Sequence, residues 1–155
     1  MSGKYDAFMP GASVPVSAPD PLFLLGWSSF FSQQSDTDSL KSTPPVRVTS
    51  VHRSGLQVQG ADLQGIIPPR QDATVGDWFL YEAERPQDRV LLERKSLIKR
   101  RSPGKDRYEQ LIAANIDTAF IVTSCNGDFN IARLERYVAL AFDADVTPVI
   151  LLTKP

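Results

Sequence analysis

The chain has 155 residues, 42% of them hydrophobic and 23% charged, and its net charge at pH 7 is −1. These proportions are typical of a soluble globular protein, and the length allows one domain or two small ones with enough apolar residues for a core. No stretch approaches the ~18 consecutive apolar residues of a membrane span, and the first residues lack a secretory signal, so we expect no membrane contact and a cytoplasmic location.

The first 45 residues are predicted to precede the folded domains. Residues 1–21 are rich in Pro, Ser, Gly and Ala, which predicts a disordered leader. Asp20-Pro21 has the pattern of a helix N-cap followed by Pro at the first helical position. Four aromatic residues then fall at helical spacing and predict a short amphipathic helix: Phe23, Trp27, Phe30 and Phe31. Residues 32–45 are predicted to be a polar linker.

Residues 46–102 have the pattern of a small all-β domain. Five short stretches favour strands: VRVTSVH, LQVQG, ADLQGIIP, VGDWFLYEAE and DRVLLERKSL. Gly55 suits the turn of a hairpin between the first two. Five strands in about sixty residues, without a helix of comparable strength, predict the closed Greek-key barrel called the OB-fold. Trp78 and Phe79 are predicted to be core residues.

Residues 103–155 change to an α/β pattern. IDTAFIVTS and VTPVILL are near-continuous apolar runs, which predict strands buried on both faces. Between them, Asp128 can cap a helix whose apolar face is Ile131, Leu134, Val138, Ala141 and Phe142. Strand, helix and strand in this order predict a βαβ unit with parallel strands and a right-handed crossover.

The charged and reactive residues limit the chemistry that the chain can perform. One Cys (Cys125) excludes an internal disulfide, and together with one His (His52) it is too few for a structural zinc cluster. Residues 89–107 hold eight basic and two acidic side chains, a net charge of +6. This block is either a phosphate-binding stripe or a solvated linker.

Several stretches together resemble the ribosome small-subunit-dependent GTPases of the RsgA (YjeQ) type. They are LGWSSFF at 25–31, VGDWFLYEAE at 75–84, RKSLIKR at 94–100, LIAANIDTAFIVTSCNGDFNIARLERYVALA at 111–141 and VTPVILLTK at 146–154. The family is described as an OB barrel, a circularly permuted GTPase domain and a zinc-binding tail. The resemblance implies GTP hydrolysis in late maturation of the small ribosomal subunit, with GTP or GDP and Mg as ligands of the full-length protein and zinc in a C-terminal domain.

The resemblance implies two sets of site residues. Thr153 and Lys154 match the start of the guanine-reading motif [NT]-K-x-D, in which the Lys stem lies along the base and the Thr holds the loop. The barrel implies binding of ribosomal RNA, for which the candidates are the basic residues Arg53, Arg94, Lys95, Lys99, Arg100 and Arg101.

A phosphate-binding GxxxxGK[ST] loop is missing from these 155 residues. We therefore expect the chain to be an N-terminal piece of a longer GTPase, ending inside the guanine motif, with no catalytic residue, no GTPase activity and no bound cofactor of its own. The alternative interpretation is a non-enzymatic OB-fold module that binds RNA or protein.

Overall fold

The computed structural model describes residues 19–101, 109–127 and 129–154. Most of the leader predicted for residues 1–21 lies outside these ranges. The helix cap predicted at Asp128 also lies outside them. No described helix is long and apolar enough to cross a membrane. The elements in chain order are α1 Pro21–Leu24, α2 Ser29–Ser32, α3 Thr37–Ser42, β1 Pro45–His52, β2 Gly55–Gln59, β3 Gln64–Ile67, β4 Trp78–Leu80, a 3-10 helix Pro86–Asp88, β5 Val90–Leu91, β6 Leu97–Arg101, β7 Glu109–Ala114, β8 Thr118–Ser124, α4 Ile131–Phe142 and β9 Thr147–Thr153.

The segment before β1 is more structured than its sequence predicts. Asp20 caps α1 by accepting the N–H of Leu22 at 2.9 Å, but the single predicted helix is broken at Gly26, whose φ is +85°. The predicted polar linker contains α3, whose N-cap Asp36 accepts the N–H of Ser39 at 2.6 Å. The linker prediction is therefore wrong for residues 37–42, because a good cap and local bonds form a helix that has no strong apolar face.

The first four predicted strands and part of the fifth form one antiparallel sheet. Its strand order is β3-β2-β1-β4-β5, and β1 pairs with both β2 and β4. The two edge strands, β3 and β5, do not pair with each other among the described residues, so the expected closed barrel is not seen as a ring of paired strands. Arg89 lies between these edges and donates to the carbonyls of Pro68 and Pro69 at 3.1 and 3.2 Å. The OB-fold stays a prediction.

Strand β4 is buried on both faces. Phe79 belongs to an apolar cluster with Val46 and Leu56 inside the sheet. Trp78 points to the other side, where its ring lies 4.8 Å from that of Trp27 and 5.8 Å from that of Phe31. Trp78 and Phe79 are both fully buried, which confirms their prediction as core residues. The helices before β1 therefore cover the outer face of the sheet.

The basic block contributes one strand, β6, to a hairpin that was not predicted. β6 pairs with β7 in a separate antiparallel sheet of two strands. The predicted fifth strand, DRVLLERKSL, is in fact divided between β5 and the start of β6. Ile98 on β6 packs with Ala141 and Val146 of the following α/β segment. The hairpin therefore spans the predicted domain boundary at 102/103.

The last segment consists of β8, α4 and β9, with β8 and β9 paired in parallel. Asn130 caps α4 by accepting the N–H of Arg133 at 2.8 Å. Leu134 and Ala141 of the predicted apolar face are buried, but Ile131 and Phe142 are each 63% exposed.

The two apolar runs form the predicted strands, but among the described residues these strands are not buried on both faces. Phe120 and Val122 of β8 are 65% and 62% exposed, and Leu152 of β9 is 59% exposed. An apolar strand is buried only where further layers cover it, and here α4 and Ile98 of β6 cover only part of the surface.

Candidate functional site

The carboxyl ends of β8 and β9 meet at one edge, because the strands are parallel and Ser124 pairs with Thr153. The Thr153 hydroxyl donates to the carbonyl of Thr123 at 3.2 Å, and the Thr153 carbonyl accepts the N–H of Cys125 at 3.0 Å. Lys154 follows with a φ of +53° and an exposed side chain. Thr153 thus braces the edge while Lys154 is accessible, at the position where open α/β sheets bind ligands.

Two polar residues at this edge were not predicted. The Ser124 hydroxyl and the amide oxygen of Asn126 lie 2.7 Å apart, so the hydroxyl can donate to the amide. The sequence could have indicated them, because polar side chains that follow an apolar strand and precede a glycine, here Gly127, are typical of a loop at the end of a strand. They place hydrogen-bonding groups beside Thr153.

The edge does not fit a complete nucleotide site. Thr153 and Lys154 suit contacts to a base, but the sequence has no Gly-rich loop to bind phosphates. Within the described ranges, no three His, Cys, Asp or Glu side chains are grouped so as to hold a metal ion. The described side chains at this edge therefore offer contacts to a base but no cluster of metal ligands.

Arg94, a predicted RNA contact, is instead engaged inside the protein. Its Nε and Nη2 donate to the two carboxylate oxygens of Asp77 at 2.7 and 2.8 Å, and Nη2 also donates to the carbonyl of Asp72 at 2.6 Å. Asp77 is fully buried. The hydrogen bonds to Asp77 raise the pKa of Arg94, outweighing the opposite effect of burial. This geometry gives Arg94 a structural role.

Lys95 lies where the five-stranded sheet contacts the segment between β7 and β8, and we call this contact region the joint. Its side chain lies 3.2 Å from Asp117, and its N–H donates to the side-chain oxygen of Asn115 at 2.8 Å. The Asn115 side-chain amide also donates to the carbonyl of Gly76 at 3.0 Å, and the backbone carbonyl of Asn115 accepts from Arg47 Nη2 at 2.8 Å. Asn115 was not singled out from the sequence, although its φ of +55° is one that Asn tolerates.

Lys99, Arg100 and Arg101 project from β6 with exposed side chains. Lys99 Nζ lies 3.0 Å from a carboxylate oxygen of Glu109, and Arg100 Nε donates to Gln110 at 3.0 Å, both across the hairpin. The bonds orient these side chains without burying them. The three exposed cations therefore lie on a strand, and we call the surface formed by Lys99, Arg100 and Arg101 the positive edge.

Arg53 is in a different place, at the exposed turn between β1 and β2. It lines a surface hollow with His52 and Arg70. His52 Nε2 lies 3.0 Å from the hydroxyl of Ser50. The structure thus separates the predicted RNA contacts into a positive turn on the five-stranded sheet and a positive edge on β6.

Comparison with known proteins gives one consistent family. Residues 91–155 match the family described as RsgA GTPase. The chain is 44% identical over 141 residues to "Small ribosomal subunit biogenesis GTPase RsgA 2" of Vibrio vulnificus, covering 89% of this chain and 40% of the relative. It is 48% identical over 147 residues to "Small ribosomal subunit biogenesis GTPase RsgA" of Mesorhizobium japonicum, covering 92% of this chain and 42% of the relative.

The crystal structure of YloQ, described as a circularly permuted GTPase, is similar with a TM-score of 0.46 and 23% identity, over 71% of this chain and 40% of that one. The present chain spans about two-fifths of the length of these relatives. The chain is therefore an RsgA-type sequence, related to the RsgA GTPases over the part of their length that it spans.

Proposed function

We propose that the chain is part of a cytoplasmic GTPase that binds the small ribosomal subunit and assists its late maturation. The observation that carries the proposal is 44–48% identity over about nine-tenths of the chain to proteins named small ribosomal subunit biogenesis GTPases. The identity extends over both the all-β segment and the α/β segment, which supports the proposal more strongly than a match to one segment alone would.

The proposed contribution of this chain is RNA binding. The turn at Arg53 and the edge formed by Lys99, Arg100 and Arg101 are exposed and positive, which suits contacts to RNA phosphates. Lys95 remains a candidate at the joint, with about half of its side chain exposed. Arg94 is not included, because its guanidinium holds the buried Asp77 carboxylate.

The edge at Thr153 and Lys154 is proposed to read guanine. In this proposal the Lys154 stem lies along the base, and Thr153 keeps the loop in shape through its bond to Thr123. GTP with Mg would then need a phosphate-binding loop that lies elsewhere in a longer, circularly permuted protein, and zinc a further C-terminal domain. The 155-residue chain alone is not proposed to hydrolyse GTP.

A second candidate is a non-enzymatic RNA- or protein-binding module. It would be favoured if the full-length gene product, like these 155 residues, had no GxxxxGK[ST] sequence. GDP titration of the full-length gene product separates the two, because only the GTPase binds the nucleotide.

The ribosomal part of the proposal is tested by sedimentation. The 155-residue protein is mixed with purified bacterial small subunits, or with large subunits as the control, and centrifuged through a sucrose cushion. We expect it to pellet with small subunits and to be released when Lys99, Arg100 and Arg101 are all replaced by Ala. Failure to pellet with small subunits, or equal pelleting with large subunits, would overturn the proposal.

A further inference from the structure

A groove of about 670 Å³ lies between β6 and α4. Lys99, Arg100 and Arg101 line it from β6, and Arg136 and Tyr137 line it from α4. Among the described residues that line it, Asp143 is the one acidic side chain. We call this surface the basic groove. Its helical side was not predicted, since Arg136 and Tyr137 lie outside the basic block.

The charges of the basic groove are available to a ligand. Arg101 and Arg136 are exposed, and neither has a side-chain hydrogen bond or ion pair with another described residue. Lys99 and Arg100 are oriented by Glu109 and Gln110 but stay exposed. Cations on two facing walls favour an extended polyanion that runs along the groove, as a nucleic-acid backbone does.

Tyr137 stands at the border between this groove and a second hollow. The adjoining hollow, of about 300 Å³, is lined by apolar side chains that include Ile98, Ile112 and Phe120, and Tyr137 lines both. Tyr137 is 47% exposed, so much of its ring is open to solvent. A phosphate chain in the basic groove could therefore turn one base onto this ring and towards the apolar hollow.

A line of cations beside an exposed aromatic ring favours single-stranded over double-stranded RNA. Bases of a duplex are stacked on each other, whereas unpaired bases can stack on aromatic side chains. We propose that the basic groove binds a single-stranded RNA segment, with phosphates between the β6 cations and Arg136 and with one base stacked on Tyr137. The inference rests on the proposed RNA binding, extends the interface onto α4 and specifies the state of the RNA strand.

The test uses the 155-residue protein and fluorescein-labelled adenine oligoribonucleotides of about 12 residues, a length within the range that single-strand-binding domains cover. A duplex of equal length is the comparison, and anisotropy gives the affinity. Tyr137→Ala should weaken single-strand binding at least about 5-fold, in line with the loss of one stacked base. Tyr137→Phe should keep the affinity, because the stacking ring remains.

Arg136 is tested through the salt dependence of the same binding. Arg136→Ala should flatten the plot of log K against log salt by about 0.7 for a single strand, and Arg136→Lys should restore the slope. Lys41→Ala is the charge-matched control, since Lys41 lies on α3 and does not line the groove. Circular dichroism of each variant shows that the fold is kept.

The results separate this inference from the proposed function. Suppose that Tyr137→Ala and Arg136→Ala keep the wild-type affinity for single strands, whereas replacing Lys99, Arg100 and Arg101 abolishes binding. The groove proposal would then be overturned, and RNA binding by the β6–β7 hairpin alone would remain. Tighter binding of the duplex than of the single strand would also overturn it. No binding of either RNA by the unaltered protein would contradict the RNA-binding proposal itself.

Discussion

Arg94 and Asp77 form an ion pair through two hydrogen bonds, of 2.7 and 2.8 Å, in which the carboxylate is completely buried. The pair joins the turn before β4 to the segment between β5 and β6. Arg94→Ala would leave a buried carboxylate without its partner, so we expect a loss of about 3–5 kcal/mol in the free energy of unfolding, measured with urea.

Arg85→Ala is the matched control for Arg94, because Arg85 pairs with Glu82 and is 62% exposed. Its loss should be at most about 1 kcal/mol. Arg94→Lys should fall between the two, since Lys keeps the charge but not the forked geometry. A loss for Arg94→Ala as small as that for Arg85→Ala would show that the buried pair contributes little.

Gly76 allows the five-stranded sheet to approach β7 closely. Its φ is +92°, and a Cβ at this position would lie 2.0 Å from the carbonyl oxygen of Ala114. Gly76→Ala should therefore destabilise the protein by at least about 2 kcal/mol, through strain and overpacking together. Gly65→Ala is the control, because no atom lies within 4 Å of its added Cβ. Equal unfolding midpoints for the two variants would contradict this reading of the joint.

Arg70 binds the carboxylate of Asp72 through two hydrogen bonds, of 2.6 and 2.9 Å. This bond lowers the pKa of Asp72 in the folded protein. Because the folded pKa is below the unfolded value of about 3.9, the pair stabilises the fold above that pH, and this contribution is lost as the pH falls through the folded pKa. An NMR titration of the Asp72 carboxyl carbon should show the lowered pKa, and Arg70→Ala should return it towards its ordinary value. An ordinary pKa in the unaltered protein would contradict the prediction.

Local patterns predicted the elements whose side chains repeat regularly. The alternation around Gly55 indicated the β1–β2 hairpin, and the apolar runs indicated β8 and β9, whose bounds differ from the predicted ones by one or two residues. These features depend on residues that are close together in the chain, so a single sequence is enough to predict them. The helix α3 was missed because its stability comes from a polar cap rather than an apolar stripe.

Long-range pairing is what the sequence could not indicate. Lys99 and Arg100 are strand residues because Leu111 and Gln110 lie opposite them on β7, and a run of cations alone resembles a linker. In the sequence, Arg94 cannot be distinguished from the basic residues around it. Only the fold shows that it binds Asp77, seventeen residues earlier in the chain. Arg136 and Tyr137 join the basic groove only when α4 packs near β6.

The positive edge on β6 predicts a steep salt dependence of RNA binding. Replacing Lys99, Arg100 and Arg101 together with Ala should flatten the slope of log K against log salt by about 2 for a single strand, because three phosphate contacts are lost. Lys41→Ala combined with Arg85→Ala removes charge from residues that do not line the groove and should leave the slope unchanged. An unchanged slope in the triple variant would mean that these cations do not contact phosphates.

The segment from β8 to β9 is predicted to be the least stable part of the described chain. In the five-stranded sheet, Val46 and Val58 are completely buried, whereas Phe120, Val122 and Leu152 are 59–65% exposed. Exposed apolar strands with free edges gain little from burial and tend to associate. The amides of β1 and β2 should therefore exchange hydrogen slowly, and those of β8 and β9 faster or in a way that depends on protein concentration.

The concentration dependence can be assigned to this surface by substitution. Phe120→Ser with Val122→Thr should reduce self-association, as measured by sedimentation velocity, because it removes exposed apolar area from β8 without opening a packed core. Ile66→Thr is the control, since Ile66 is 70% exposed but is the one exposed large apolar side chain of β3, and it should leave association unchanged. Equal hydrogen-exchange protection in β1 and β8 at all concentrations would show that Ile98, Ala141 and Val146 form a sufficient core for the segment, and the prediction would be wrong.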